Sequence, residues 1–216
     1  MLVTHMESLR IALNLANTEL VTGHDPGGSP TGPAPEMARR VAAAVDRSPV
    51  WVEYALPSEI VAAAHRDEWD ICFIAADPAR ADVMKFTEPW TRLEVCFAAP
   101  ANVDLEGFDL ATGRIACLDG GAYTLWLERH MPSAVLVRCA SFAESVSAAI
   151  EGRADVVLGV RQFFADLDLV VSGDTVTTVE QAIGVNLTLN DGLSSQVMSF
   201  IRAEASPSPA VPPTDR

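Results

Sequence analysis

The chain has 216 residues, 49% of them hydrophobic and 20% charged, with a formal net charge of −14. That apolar share over that length allows a sizeable core, in one large domain or two small lobes. The acidity excludes nucleic acid as a partner, because phosphate binding rests on clustered Lys and Arg.

In chain order, "SLRIALNLA" (8–16) alternates into a short apolar strand, and "GHDPGGSPTGPAP" (23–35) is a Gly/Pro loop leading into the helical pattern "EMARRVAAAVDRS". "VWVEYAL" (50–56) reads as a second strand, "PSEIVAAAHRDE" as a helix opened by Pro57 and Ser58, and "WDICFIAA" as a third strand. Strands alternating with helices predict a parallel sheet with helical cover. After "FTEPWTRLEVCFAAP" the alternation restarts. "GRIACLDGG" is strand and turn, "AYTLWLERHM" helix, "AVLVRCA" strand, "SFAESVSAAIEGR" helix and "ADVVLGV" strand. Ser141 and Glu144 have capping-box spacing at the start of that second helix. "QAIGVNLTL" (181–189) is a further strand and "DGLSSQVMSFIRAEA" the closing helix. The last residues, 205–216, run into "SPSPAVPPTDR", a Pro/Ser-rich composition that predicts a disordered tail.

No stretch reaches the roughly 18 uninterrupted apolar residues of a membrane span, so the chain is expected not to be membrane-embedded. The start "MLVTHMESLRIALNLANTEL" has no basic region followed by an apolar one, the pattern of an export signal. Cys72, Cys96, Cys117 and Cys139 stand singly in apolar runs without CxxC spacing, which predicts buried thiols and a reducing compartment. The chain as written is therefore expected to be cytoplasmic. His5, His65 and His130 lack metal-ligand spacing, and there is no P-loop, GxGxxG or GxSxG, so neither metal nor cofactor is expected.

The segment "WDICFIAADPARADVMKFTEPW", followed by "GRIACLDGGAYTLWL" and "AIEGRADVVLGV", resembles the ordered motifs of the type II periplasmic binding proteins of amino-acid uptake, the family-3 extracellular solute-binding proteins. The resemblance covers residues 8–203, and the spacing from Arg80 to Phe86 matches the family's. It implies an α/β fold of two lobes joined by two crossing segments, with a ligand cleft between them. Lobe 1 would comprise 8–96 plus 186–204 and lobe 2 would comprise 97–185, with crossings near 95–100 and 181–186.

The resemblance also implies a site. Arg80 matches the arginine that clamps the ligand α-carboxylate, and a planar guanidinium can donate two parallel charge-assisted hydrogen bonds to a carboxylate. The alternative is a surface ion pair with Asp77 or Asp82. Ala75, Ala76 and Asp77 lead into Arg80, and Ala75 stands where the family has a hydroxyl residue. Gly120, Gly121 and Ala122 precede a helix, where free amides from 121 to 123 favour an anion; an ordinary strand-to-helix turn is the plainer reading.

Asn14 stands where Asp is frequent in the family and Asn17 near the usual aromatic cover. Val160 stands where the family places the aspartate that holds the ligand amine, which points away from an ordinary α-amino acid. Arg161, if it faces the cleft, would favour a dicarboxylate; a solvated strand end is equally consistent. Gln162 would add an amide contact, and Tyr123 and Trp126 are either aromatic walls or core. Glu19, His24 and Asp77 are the acid–base candidates.

Three functions follow from these residues. The first is a receptor for a small organic carboxylate, an amino acid or an amine-free or dicarboxylate analogue, serving an ABC-transporter permease. The alternative is a lyase on the same fold, like cyclohexadienyl dehydratase. The third is an effector-sensing module that works through a regulator.

Overall fold

The computed structural model describes residues 7–109 and 112–205. The expected tail beyond residue 205 lies outside the described residues.

Strand β1 (Ser8–Asn14) buries Leu9, Ile11 and Leu13 on one face and Ala12 on the other, so it sits inside a sheet covered on both sides. The stretch expected as a plain loop contains a small hairpin, β2 (Gly23–His24) with β3 (Pro30–Thr31). Its turn is held by the Asp25 carboxylate, which accepts from the amides of Gly27 and Ser29 at 2.8 and 2.9 Å. Helix α1 (Pro33–Ala44) begins before the expected residue 36, because proline loses no hydrogen bond at the first helical position. Its Ala34, Ala38, Val41 and Ala42 form one buried stripe.

The first half continues with β4 (Ser48–Tyr54), α2 (Pro57–Ala64), β5 (Ile71–Ala75), a 3-10 turn at Pro78–Arg80 and β6 (Met84–Phe86). Strand β7 (Thr91–Ala99) leads into β8 (Arg114–Leu118), α3 (Ala122–His130), β9 (Val135–Cys139), α4 (Phe142–Ile150) and β10 (Val156–Val160). A 3-10 turn at Arg161–Phe164, β11 (Val170–Val171), β12 (Thr177–Asn186) and α5 (Asp191–Ala205) complete the chain. At the start of α4, Ser141 Oγ accepts from the Glu144 amide at 3.1 Å. The Glu144 carboxylate reaches back to the amide of Ala140, one residue earlier than the box predicts.

The sheet runs β4-β1-β5-β12-β7-β10-β8-β9, with β6 beside β12 and β11 beside β7. It is mixed, which corrects the expected parallel sheet. The triplets β4-β1-β5 and β10-β8-β9 are parallel, whereas β12 and β7 run antiparallel to each other and to their neighbours. The physical reason is connectivity: one strand leads from the first lobe to the second and the other leads back, so they point opposite ways. They pair over Thr91–Val95 and Thr177–Gln181.

The four cysteines are free and buried. Burial pushes the Cys72 thiol up to about 12. Trp69, fully buried, keeps its indole N–H satisfied by donating to the Ile60 carbonyl at 3.0 Å.

Candidate ligand-binding site

Strand β5 ends at Ala75, and the Ala76 amide donates to the Glu180 carbonyl at 2.8 Å, which ties the exit loop to β12. Asp77 then caps the 3-10 turn, its Oδ1 accepting from the Ala79 amide at 2.9 Å, with Pro78 at the first turn position. This tight reversal folds Arg80 back beneath the strand end, where it is only 3% exposed.

Its guanidinium donates to the Ala75 carbonyl at 2.6 Å and to the Gly120 carbonyl, on the opposite lobe, at 3.0 Å. No carboxylate forms an ion pair with Arg80 among the described residues. Burial lowers its pKa, and the nearby Asp77 charge opposes that effect. The alternative of a surface pair with Asp77 or Asp82 is thereby set aside. Asp77 is gripped by both arms of Arg129, at 2.9 and 2.7 Å, and Asp82 is exposed.

The facing lobe presents the turn between β8 and α3. Gly120 has φ +66°, a left-handed conformation, and a Cβ there would lie 3.2 Å from Ser58 Cβ on α2, so both geometry and space favour glycine. Gly121 is the N-cap and supplies no side-chain acceptor, which leaves the first-turn amides of Ala122 and Tyr123 without intrahelical partners. Thr124 fixes the turn by donating its hydroxyl to the Leu118 carbonyl at 2.6 Å.

Between the two lobes lies a cavity with room for a few water molecules. Of the residues expected at the site, Asn14, Asn17, Ala75, Arg80, Gly121, Ala122 and Tyr123 line it together. Two buried polar atoms on its wall, Asn17 Oδ1 and the Tyr123 hydroxyl, have no hydrogen-bond partner in the protein, although the Leu118 backbone passes close to the phenol. Burial raises the Tyr123 pKa, so the phenol stays protonated.

Ala76 and Asp77 instead line a neighbouring hollow of about 200 Å³ with Trp126, Arg129 and Glu180, on the far side of Tyr123. Trp126 stacks on His130 with ring centroids 4.6 Å apart. Gly120 touches the site only through its carbonyl on Arg80.

Other expected residues lie elsewhere. Arg161 is turned away: it donates to Glu94 at 3.1 Å and to the Ser172 carbonyl at 2.8 Å, anchoring the loop before β12. Gln162 is exposed. His24, on the hairpin, pairs with Glu53 at 2.7 Å, and neither it nor Glu19 lines the cavity.

The sequence reading did not single out Ile74, Leu118, Phe163, Val179 or Gln181 as wall residues. Gln181 carried a signal, a lone amide heading the apolar run "QAIGV", and it is 5% exposed. Phe163 carried none, since the 3-10 turn after β10 decides which of its side chains faces inward. Val160 lines the cavity, at the position where the resemblance expected an aspartate.

Among the described residues no group of three or more His, Cys, Asp or Glu stands together to hold a metal, and no helix is long and apolar enough to cross a membrane. No family model matches the chain, and no curated protein matches it. Solved structures do. Holo ArgBP from T. maritima is 19% identical with a TM-score of 0.73, over 91% of this chain and 89% of that one. The ancestral amino-acid-binding protein AncCDT-1, a precursor of cyclohexadienyl dehydratase, is 18% identical with a TM-score of 0.74, over 91% and 88%. A periplasmic His/Glu/Gln/Arg/opine family-binding protein from Silicibacter pomeroyi in complex with lysine is 17% identical with a TM-score of 0.74, over 91% and 90%. The chain thus has the two-lobed α/β fold of the type II periplasmic binding proteins, with Arg80 and the start of α3 facing each other across its cleft.

Proposed function

We propose that the protein is a receptor for a small organic carboxylate held between Arg80 and the first-turn amides of α3. The observation that carries this reading is a buried guanidinium with two carbonyl partners and, among the described residues, no ion-pairing carboxylate. A buried cation is costly until an anion joins it, and a bound carboxylate supplies one. The amides of Ala122 and Tyr123 and the positive end of the helix dipole favour the same charge from the other lobe.

Binding is favoured over elimination because among the described residues no acidic or histidine side chain lines the cavity, while the Asp77 carboxylate is fully engaged by Arg129. The amino-acid-binding AncCDT-1 and the S. pomeroyi protein solved with lysine support an amino-acid-like or related small ligand. A receptor acts through a second protein, and the resemblance implies a membrane permease or a regulator in that role. Crosslinking with and without ligand distinguishes the two.

The test is a thermal-shift panel of amino acids, mono- and dicarboxylates and aromatic acids on wild type and Arg80→Gln, with product analysis of each hit. A ligand at one hundred times its Kd stabilises by about 2.7 kcal/mol, an upward shift of several degrees. A hit that shifts wild type, leaves the variant unmoved and returns unchanged supports a receptor. A hit that returns dehydrated or decarboxylated, or shifts both proteins equally, refutes it.

A further inference from the structure

Charge balance at the site narrows the ligand further. The cluster at the cleft holds the buried Arg80 and Asp77 and the partly exposed Arg129, with Asp77 joined to Arg129 at 2.7 Å, and so carries one positive charge in excess. Two further charges of the region are spent elsewhere: Glu180 pairs with Arg92 at 3.0 Å and Arg161 with Glu94 at 3.1 Å. A monoanion brings the cluster to neutrality. A zwitterion restores the excess, and a dianion reverses it.

The cavity wall agrees with this count. Among the described residues no acidic side chain lines it, so an ammonium group would lie buried near Arg80 with no counter-charge of its own. What the wall offers is neutral: the unpaired Asn17 amide oxygen and the unpaired Tyr123 hydroxyl, among apolar groups that include Val160 and Phe163. A ligand hydroxyl can donate to one and accept from the other, and it suits Asn17 whichever way the amide is turned. An ammonium group can only donate.

Resting on the carboxylate-receptor reading above, we infer that the ligand is a compact, amine-free monocarboxylate bearing a hydroxyl group. The cavity has room for a few water molecules, which favours a short carbon chain.

The test is isothermal titration of the full-length protein with matched pairs that differ only in hydroxyl against ammonium, lactate with alanine and 2-hydroxyisovalerate with valine, together with malonate and succinate. The expected result is at least a tenfold preference for one hydroxy acid over its amino partner and over both dicarboxylates. Equal or tighter binding of the amino acid, or of a dicarboxylate, overturns the inference. Each titration is repeated on Arg80→Gln and Arg80→Lys, checked for native folding by circular dichroism. Loss of any measured binding in Arg80→Gln keeps the carboxylate reading standing even when the hydroxyl preference fails. Binding of none of the six compounds by wild type overturns both.

Discussion

The bidentate pair between Asp77 and Arg129 joins the loop after β5 to the last turn of α3, and so spans the two lobes. Its two ends differ in environment: the Asp77 side chain is 3% exposed and that of Arg129 39%. A fully buried pair costs about 3–5 kcal/mol to break by removing one partner, whereas an exposed pair is worth about 0–1 kcal/mol. Asp77 also keeps the Ala79 amide when Arg129 is lost, which softens the penalty. Arg129→Ala is therefore expected to cost about 2 kcal/mol, between those limits.

With an unfolding entropy of about 2.1 cal/mol/K per residue over 216 residues, that is a fall in Tm of about 4–5 °C. Asp77→Asn with Arg129→Ala closes a double-mutant cycle, and the coupling should recover most of the loss. Lobe opening hydrates the stranded carboxylate, so Arg129→Ala should also increase the radius of gyration in X-ray scattering without ligand. Additive single variants, with coupling below about 0.5 kcal/mol, refute the buried-clamp reasoning and make the pair an ordinary surface contact.

Gly120→Ala should lower Tm by about 2–4 °C per kcal/mol of left-handed strain, and adding Ser58→Gly should relieve only the contact part, as read by calorimetry. Val160→Asp places a carboxylate in the cavity wall and should reverse the preference within each hydroxy and amino acid pair; unchanged selectivity in titration counts against the charge argument. Hydrogen bonds from Arg114 hold the Asp155 carboxyl below its ordinary value. A depressed folded pKa contributes stability that is present above the unfolded value and lost as pH falls through the folded one. The Tm gap between wild type and Asp155→Asn should therefore stay constant at neutral pH and close below about pH 4. Cys72, buried and pushed up to about 12, should resist a disulfide reagent at pH 8 until the protein unfolds, a difference read by thiol titration with and without denaturant.

The regular elements were legible because each has a local cause. Alternation in "SLRIALNLA" and the stripe in α1 are patterns of one segment, and both survive in the fold with small shifts at the ends. Sheet direction was not legible in the same way. The resemblance placed the crossings near 95–100 and 181–186, but nothing in "LEVCFAAP" or "QAIGVNL" says that these strands run against their neighbours, because that is a property of the whole chain path. The hairpin at Gly23–Thr31 was hidden for a different reason: two-residue strands have no periodicity, and its turn depends on one carboxylate, Asp25, reaching two amides.

At the site, backbone devices were easier to read than side-chain direction. A proline followed by an arginine at a strand end, and a glycine pair before a helix, are local, and the fold brings both to one cavity. Arg161 shows the limit. It follows β10 at once, whereas Arg80 stands five residues past β5, and its guanidinium anchors the 172–175 loop while Val160 and Phe163 take the inward positions. One step along a 3-10 turn exchanges an inward for an outward direction, and composition does not encode that step. The consequence is chemical. With Arg161 directed outward, the cleft keeps the Arg80 guanidinium without an ion-pairing carboxylate among the described residues, and the proposed preference for a monocarboxylate over a dicarboxylate rests on that direction.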